Sequence, residues 1–318
     1  MHLHYPGLSN AAVPDGWLPA DAISSAAMTP LEDDGDGEAL DALLRRFLAE
    51  DIGRADVTTE ATVPPGTQAQ GEIVAKSECV VSGLPVARRV FELLDPELAW
   101  SREAPAGVAV SPPAVLARLA GRARSILTSE RVALNLLQRM SGIATETRRF
   151  VDAVAGTGCR ILDTRKTVPG LRPFDRQAVR DGGGVNHRYD LTEMVLIKDN
   201  HRRLAGGVAR AVAAARASAP SGTPIEVEIE SENDLSEALA AGAERILIDN
   251  QPPETVARWC ATAKAARSAG RPIFVEASGN MRLETVRDYA LAGVDAVSVG
   301  SLTHSVRAAD VSLELSQG

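Results

Sequence analysis

From residue 160 onward the chain repeats one pattern: a short apolar run, then an amphipathic stretch, then another run. The runs are RILD at 160, MVLI at 194, PIEVEIE at 224, RILID at 245, PIFVEAS at 272 and DAVSVG at 295. Between most of them lie segments of helical periodicity: AGGVARAVAAARAS, ENDLSEALAAG, PETVARWCATAKAARSAG and RLETVRDYALAG. Strands too apolar to face water, alternating with amphipathic helices, predict a parallel sheet covered by helices. The recurrence is supersecondary, with no strict sequence repeat.

Polar residues close each run: Asp163-Thr164-Arg165-Lys166, Lys198-Asp199-Asn200, Glu228 with Glu230, Asp249-Asn250, Ser278-Gly279-Asn280 and Gly300-Ser301. Polar groups gathered at strand carboxyl ends are the signature of a β/α barrel active site. In IEVEIE, alternation puts Ile225, Val227 and Ile229 on one face and Glu226, Glu228 and Glu230 on the other. Carboxylates facing a barrel interior require cations or a metal. The fold class predicted is α/β, a TIM-like β/α barrel.

The first half reads differently. Leu40, Leu43, Leu44, Phe47 and Leu48 have helical spacing. EDIGRADVTTEATVPPGT reads as a loop, GEIVAKSECVVSG as a strand and ARRVFELL as a helix, while Leu98 to Leu119 is Pro-broken but permits strands. This is an N-terminal α+β sandwich domain, drawn over residues 37–133, to which a tail over 304–318 is expected to return; the barrel occupies 134–303. A long helix is expected to begin near Ser129 as N-cap and to continue through ERVALNLLQRMSGIATETRRFVDAV. Residues 1–36, rich in Pro, Gly, Ser and acid, read as an irregular leader.

Composition narrows the function. A net charge of -8 and 3% aromatic residues argue against nucleic-acid binding, which needs cationic stripes and stacking platforms. Cys79, Cys159 and Cys260 are odd in number and widely spaced, giving neither a zinc pattern nor a disulfide framework, so a cytoplasmic protein is expected. The amino terminus lacks the basic and apolar regions of a secretion signal, and no apolar run reaches bilayer length. His2 and His4 stand on that leader without rigid further ligands and are read as incidental.

Against this acidic background, Arg160 to His201 concentrates Arg160, Arg165, Lys166, Arg172, Arg176, Arg180, Arg188 and Lys198, together with His187 and His201. Arg forks fit carboxylates and phosphates, and Lys supplies a compact charge. The cluster points to a small, multiply anionic substrate. Each residue also has a plainer reading. Arg131 would be a solvated helix arginine, His187 a core histidine, Glu228 and Asp249 salt-bridge partners, and Gly182 to Gly184 a turn. Cys159 and Cys260 would be small buried hydrophobes, and Glu226 and Glu230 stay open between support of the site and surface.

The ordered motifs DTRKTVPGLR, AVRDGGGVNHR, MVLIKDNH, EVEIE, ILIDN, EASGN and SVGSLTHSVRAADVSLEL resemble the quinolinate phosphoribosyltransferase family, the carboxylating nicotinate-nucleotide pyrophosphorylases. The similarity extends back through EDIGRADVTTEATVP and ARSILTSERVALNLLQRMSGIAT, covering roughly residues 39 to 316. The resemblance implies an amino-terminal α/β sandwich joined to an open, seven-stranded-type barrel. It also implies magnesium, and a homodimer in which one subunit completes its partner's site. The reaction implied joins quinolinate to phosphoribosyl pyrophosphate, giving nicotinate mononucleotide, pyrophosphate and carbon dioxide. Carried over by motif, Arg165, His187 and Arg188 would hold the quinolinate carboxylates, with Thr164 beside them and Arg131 reaching across from the partner. Lys166 and Lys198 would bridge the two substrates, and Glu228 and Asp249 would bind ribose hydroxyls and magnesium. Ser278, Gly279, Asn280, Val299, Gly300 and Ser301 would cradle the 5'-phosphate.

Two positions depart from the family pattern. Asp175-Arg176-Gln177 replaces a Glu-Lys-Tyr-like step, keeping the positive charge, and Asn280 stands where a second Gly is common. Three rival readings compete with this one. One is a related transferase of metal uptake, which would differ at NHR and IKDNH. Another is a Schiff-base aldolase using Lys166 or Lys198, testable by borohydride trapping. The third is a phosphate-sensing scaffold that would have lost Glu228 and Asp249.

Overall fold

A computed structural model describes residues 37–102, 104–268 and 273–317. The expectations for the leader, His2 and His4 fall outside these residues. Strand β1 (Gln68–Ala75) pairs antiparallel with β5 (Ala114–Arg122), which pairs with β3 (Ala99–Arg102). On its other edge β1 takes β12 (Val311–Gln317), also antiparallel, so the order is β12-β1-β5-β3. A short ribbon joins β2 (Cys79–Val80) to β4 (Ala109–Val110). Alternation along β1 buries Ala69, Gly71 and Ile73 and exposes Gln68 and Gln70, the signature of a sheet with one face covered. The helices Gly37–Ile52 and Leu84–Leu94 and a 31-residue helix, Ala123–Ala153, carry the rest of this core, including Leu44, Phe91, Leu137 and Met140.

The long helix corrects the expected start at Ser129. It begins at Ala123, directly off β5, and Ser129 is fully buried with its hydroxyl donating to the Ser125 carbonyl at 2.6 Å. A strand that runs straight into a helix leaves no capping residue for sequence to reveal. Residue 133 lies inside this helix, which both domains therefore share. Gly142 sits where a Cβ would come 2.2 Å from the Arg307 carbonyl oxygen, so the chain returning toward β12 crosses against the helix at that point. The stretch read as a loop after Asp51 holds a helix, Val57–Thr62, capped by Asp56, whose Oδ1 accepts the Thr59 N–H at 2.9 Å.

The second domain is a parallel sheet ordered β6-β11-β10-β9-β8-β7: β6 (Arg160–Leu162), β7 (Val195–Ile197), β8 (Ile225–Ile229), β9 (Arg245–Asp249), β10 (Phe274–Ser278) and β11 (Ala296–Ser298). All six predicted runs are strands, and helices link them as the pattern required. Val185 adds a parallel bridge to Leu162 on the outer side of β6, a rudimentary seventh strand. The curled sheet is an open TIM-like barrel. No helix among the described residues is long and apolar enough to cross a membrane.

Candidate active site

The polar closures of the strands converge at one mouth. Lys198, at the end of β7, places Nζ 2.6 Å from Glu228 Oε2 on the neighbouring β8. Asp249, ending β9, accepts the Asn250 side-chain amide at 2.7 Å. Burial first, and then the negative Glu228 nearby, push the Asp249 carboxyl above its ordinary range. Glu230, one step beyond β8, ion-pairs with Arg202 at 2.9 Å and is more than half exposed, which places it at the surface.

The basic cluster divides into two groups. Arg176 donates to the His187 carbonyl at 2.6 Å and lies 3.8 Å from Asp163; Arg172 donates to the Tyr189 carbonyl; Arg180 bonds Asn186; Arg160 stacks 5.4 Å from the Phe274 ring centre. These four build structure. Arg165 and Arg188 are different. Neither has a carboxylate within ion-pair distance among the described residues, and Arg165 Nε is a buried donor with no acceptor. Burial, and then the neighbouring Arg165, lower the Arg188 pKa. Two adjacent cations with no carboxylate in ion-pair contact among the described residues create a field that favours a dianionic ligand.

His187 is buried beside Arg188. Its N–H donates to Asp163 Oδ1 at 2.7 Å, and its carbonyl receives Arg176. Nδ1 accepts the Arg188 N–H at 2.8 Å, while Nε2 faces Glu226 Oε2 at 3.2 Å and Glu276 Oε2 at 3.4 Å. Burial disfavours a charged ring, but Glu276 and Glu226 outweigh it and raise the pKa to about 10. The Arg188 N–H donated to Nδ1 favours the neutral ring and so opposes the two glutamates. Sequence reading left Glu226 open and passed over Glu276; both are fully buried inside the barrel.

A second pocket, of about 240 Å³, opens beside this site between the ends of β6, β10 and β11. Thr164, Lys166, Ser278, Gly279, Asn280, Gly300 and Ser301 line it. Gly279 has φ +96° and a Cβ there would come 2.2 Å from Asn250 Oδ1, so only glycine fits. Asn280 adopts φ 46°, the left-handed conformation that a glycine would otherwise supply. Val299 stands behind the pocket, buried, with its N–H committed to the Leu162 carbonyl at 2.9 Å. Arg282 and His304 also line the pocket and were not singled out from sequence. His304 was visible inside SLTHSV, whereas Arg282 carried no signal. Arg131 joins none of these groups: it is exposed on the long helix, 3.7 Å from Glu130.

Comparison with known proteins agrees with this geometry. Residues 56–141 match the family model described as quinolinate phosphoribosyl transferase, N-terminal domain, and residues 143–314 match its C-terminal domain. A probable nicotinate-nucleotide pyrophosphorylase [carboxylating] of Bacillus subtilis is 42% identical over 274 residues, 86% of this chain and 92% of that protein. The nicotinate-nucleotide pyrophosphorylase [carboxylating] of Mycobacterium leprae is 43% identical over 279 residues, covering 86% of this chain and 95% of its own. The crystal structure of NadC from Streptococcus pyogenes superposes with a TM-score of 0.84 at 37% identity, over 90% of this chain and 99% of that one. The chain belongs to the quinolinate phosphoribosyltransferase family.

Proposed function

We propose that this family member transfers the phosphoribosyl group of phosphoribosyl pyrophosphate to quinolinate and releases carbon dioxide, making nicotinate mononucleotide for de novo NAD biosynthesis. The observation that carries this reading is the pair Arg165 and Arg188, half-buried, adjacent and, among the described residues, with no carboxylate within ion-pair distance. Two guanidinium forks match the two carboxylates of a pyridine diacid. The glycine-lined pocket suits the 5'-phosphate, and Lys166, lining that pocket, extends cationic charge toward the pyrophosphate.

In this reading the pyridine nitrogen attacks the anomeric carbon as the pyrophosphate bond breaks, and the ring nitrogen becomes quaternary. The adjacent carboxylate then leaves as carbon dioxide, and the ring carbon takes a proton from water. The protein's contribution is alignment and charge compensation, so no side-chain nucleophile is required. Glu228 and Asp249 would bind the ribose hydroxyls. They also fit a hard cation: both offer oxygen ligands, and burial, then the nearby Glu228, already raise Asp249. Magnesium held there would offset the charge of the departing pyrophosphate. Arg131, exposed and, among the described residues, ion-paired with its neighbour Glu130, suits a residue lent to a partner's site in a homodimer. Three buried cysteines, none in a disulfide among the described residues, fit a cytoplasmic setting.

The test is an assay with quinolinate, phosphoribosyl pyrophosphate and magnesium. Nicotinate mononucleotide and carbon dioxide in equal amounts are expected. Turnover of nicotinate with none of quinolinate would overturn the substrate assignment.

A further inference from the structure

The helix shared by the two domains is tied to the barrel by a buried ion pair. Arg139, on that helix, grips Asp175 with two donors: Nε reaches Oδ1 at 2.7 Å and Nη2 reaches Oδ2 at 2.8 Å. Asp175 is fully buried in the first turn of the helix Arg172–Asp181, and the Arg139 side chain is largely buried. An ion pair so enclosed is no more stable than well-packed apolar side chains of similar volume. Packing the two helices together therefore needs no charge, and the charge is explained by what else it reaches.

It reaches the glycine-lined pocket. Arg139 Nη2 also donates to the Thr303 carbonyl at 3.1 Å. Thr303 is buried in the short helix Ser301–His304, whose Ser301 and His304 line that pocket. The Thr303 hydroxyl donates in turn to the Lys166 carbonyl at 2.9 Å. On the other side of the same residue, the Lys166 N–H donates to Thr164 Oγ1 at 3.1 Å. The Lys166 backbone is thus held at both ends. Its stem runs past Gly300, where a Cβ would lie 3.1 Å from the Lys166 Cδ. The ammonium has no carboxylate within ion-pair distance among the described residues, and Lys166 lines the pocket.

We propose that Arg139, Asp175 and Thr303 are positioning residues for Lys166. The ion pair fixes the Thr303 carbonyl, and the Thr303 hydroxyl fixes the Lys166 backbone so that the ammonium meets the pyrophosphate of the sugar donor. This rests on the functional reading above, in which Lys166 extends charge toward that group. Every link is a donor meeting an acceptor, and no group in the path has to gain or lose a proton.

The test is a double-mutant cycle read as the Kd for phosphoribosyl pyrophosphate with magnesium, by titration calorimetry without quinolinate. Thr303→Val keeps the shape of the side chain, removes its hydroxyl and should weaken binding about tenfold. Thr303→Ser, which keeps the hydroxyl, should bind within about twofold of the unsubstituted protein. Arg139→Lys keeps the charge but cannot hold Asp175 and Thr303 together, and it should weaken binding by a similar factor to Thr303→Val. In a Lys166→Ala background both penalties should vanish. Equal penalties in both backgrounds, or none in either, would overturn the clamp. So would a rise in the KM for quinolinate as large as the loss of donor binding, because that marks a general loosening of the domain junction.

If these variants do not fold, a crystal structure of the unsubstituted protein with phosphoribosyl pyrophosphate bound decides. The Thr303 hydroxyl should remain on the Lys166 carbonyl, with Lys166 Nζ on the pyrophosphate. An ammonium turned away from the bound donor sinks the proposal. Failure of the functional reading looks different: the unsubstituted protein would bind no phosphoribosyl pyrophosphate or turn over no quinolinate.

Discussion

At the smallest scale, the proposed function rests on two side chains. Arg165 carries a buried donor with no acceptor, and Lys198 is bound 2.6 Å from Glu228 at the edge of the mouth. Arg165→Ala and Lys198→Ala should each lower kcat/KM for quinolinate by about 10²–10³-fold, the scale of removing one preorganised charge contact from a transition state. Melting temperatures should barely move, because neither residue ties core elements together. Near-normal turnover in both variants would remove them from the site. These residues were legible in the sequence because a cation directly after an apolar run has few structural uses. Arg172, Arg176 and Arg180 looked the same in sequence and proved structural. Their acceptors, the Tyr189 and His187 carbonyls and Asn186, are supplied by a loop whose path no local pattern encodes.

At the scale of elements, the 31-residue helix is the part most exposed to a small change. Gly142→Ala would gain about 1 kcal/mol of helix propensity. It would also drive a methyl group to 2.2 Å from the Arg307 carbonyl oxygen, far inside van der Waals contact with backbone that cannot give way cheaply. Overpacking of this kind costs about 1–3 kcal/mol, so urea titration should show a net loss of stability. Asp95, which caps the helix Leu84–Leu94, accepts both Nε and Nη2 of Arg122 at the end of β5. Those hydrogen bonds, outweighing burial, hold its carboxyl below the ordinary value of 3.8. The sign follows: this contribution is complete above that value and is lost as pH falls through the lowered one. Asp95→Asn should therefore flatten the acid limb of the stability curve below pH about 4 and leave its shape near neutrality unchanged. Strands were read correctly because burial on both faces produces uninterrupted apolar runs. The helix Val57–Thr62 was missed because Val and Thr form helices poorly; the Asp56 cap was its one available sign.

Over the whole molecule, the barrel and the sandwich share one helix and one chain reversal. The homodimer proposed above predicts a result no monomer can give. Arg131→Ala and Lys198→Ala homodimers should each be inactive. Random mixing of the two chains should restore activity to about a quarter of all sites, because half the dimers then carry one site free of both changes. Mixed samples as inactive as their parents would count against Arg131 acting across subunits. The barrel could be foreseen from periodicity alone. Carboxylates facing its interior were expected too, but not that Arg245 and His187 are the groups standing opposite Glu226.

The pairing of β12 with β1 has a bearing on how the protein is made. While the ribosome is still translating the barrel, β1 has its partner β5 on one side and a bare row of amide and carbonyl groups on the other. The first domain to emerge is thus the last to be sealed, and a nascent chain with such an edge is open to pairing with its neighbours on the polysome.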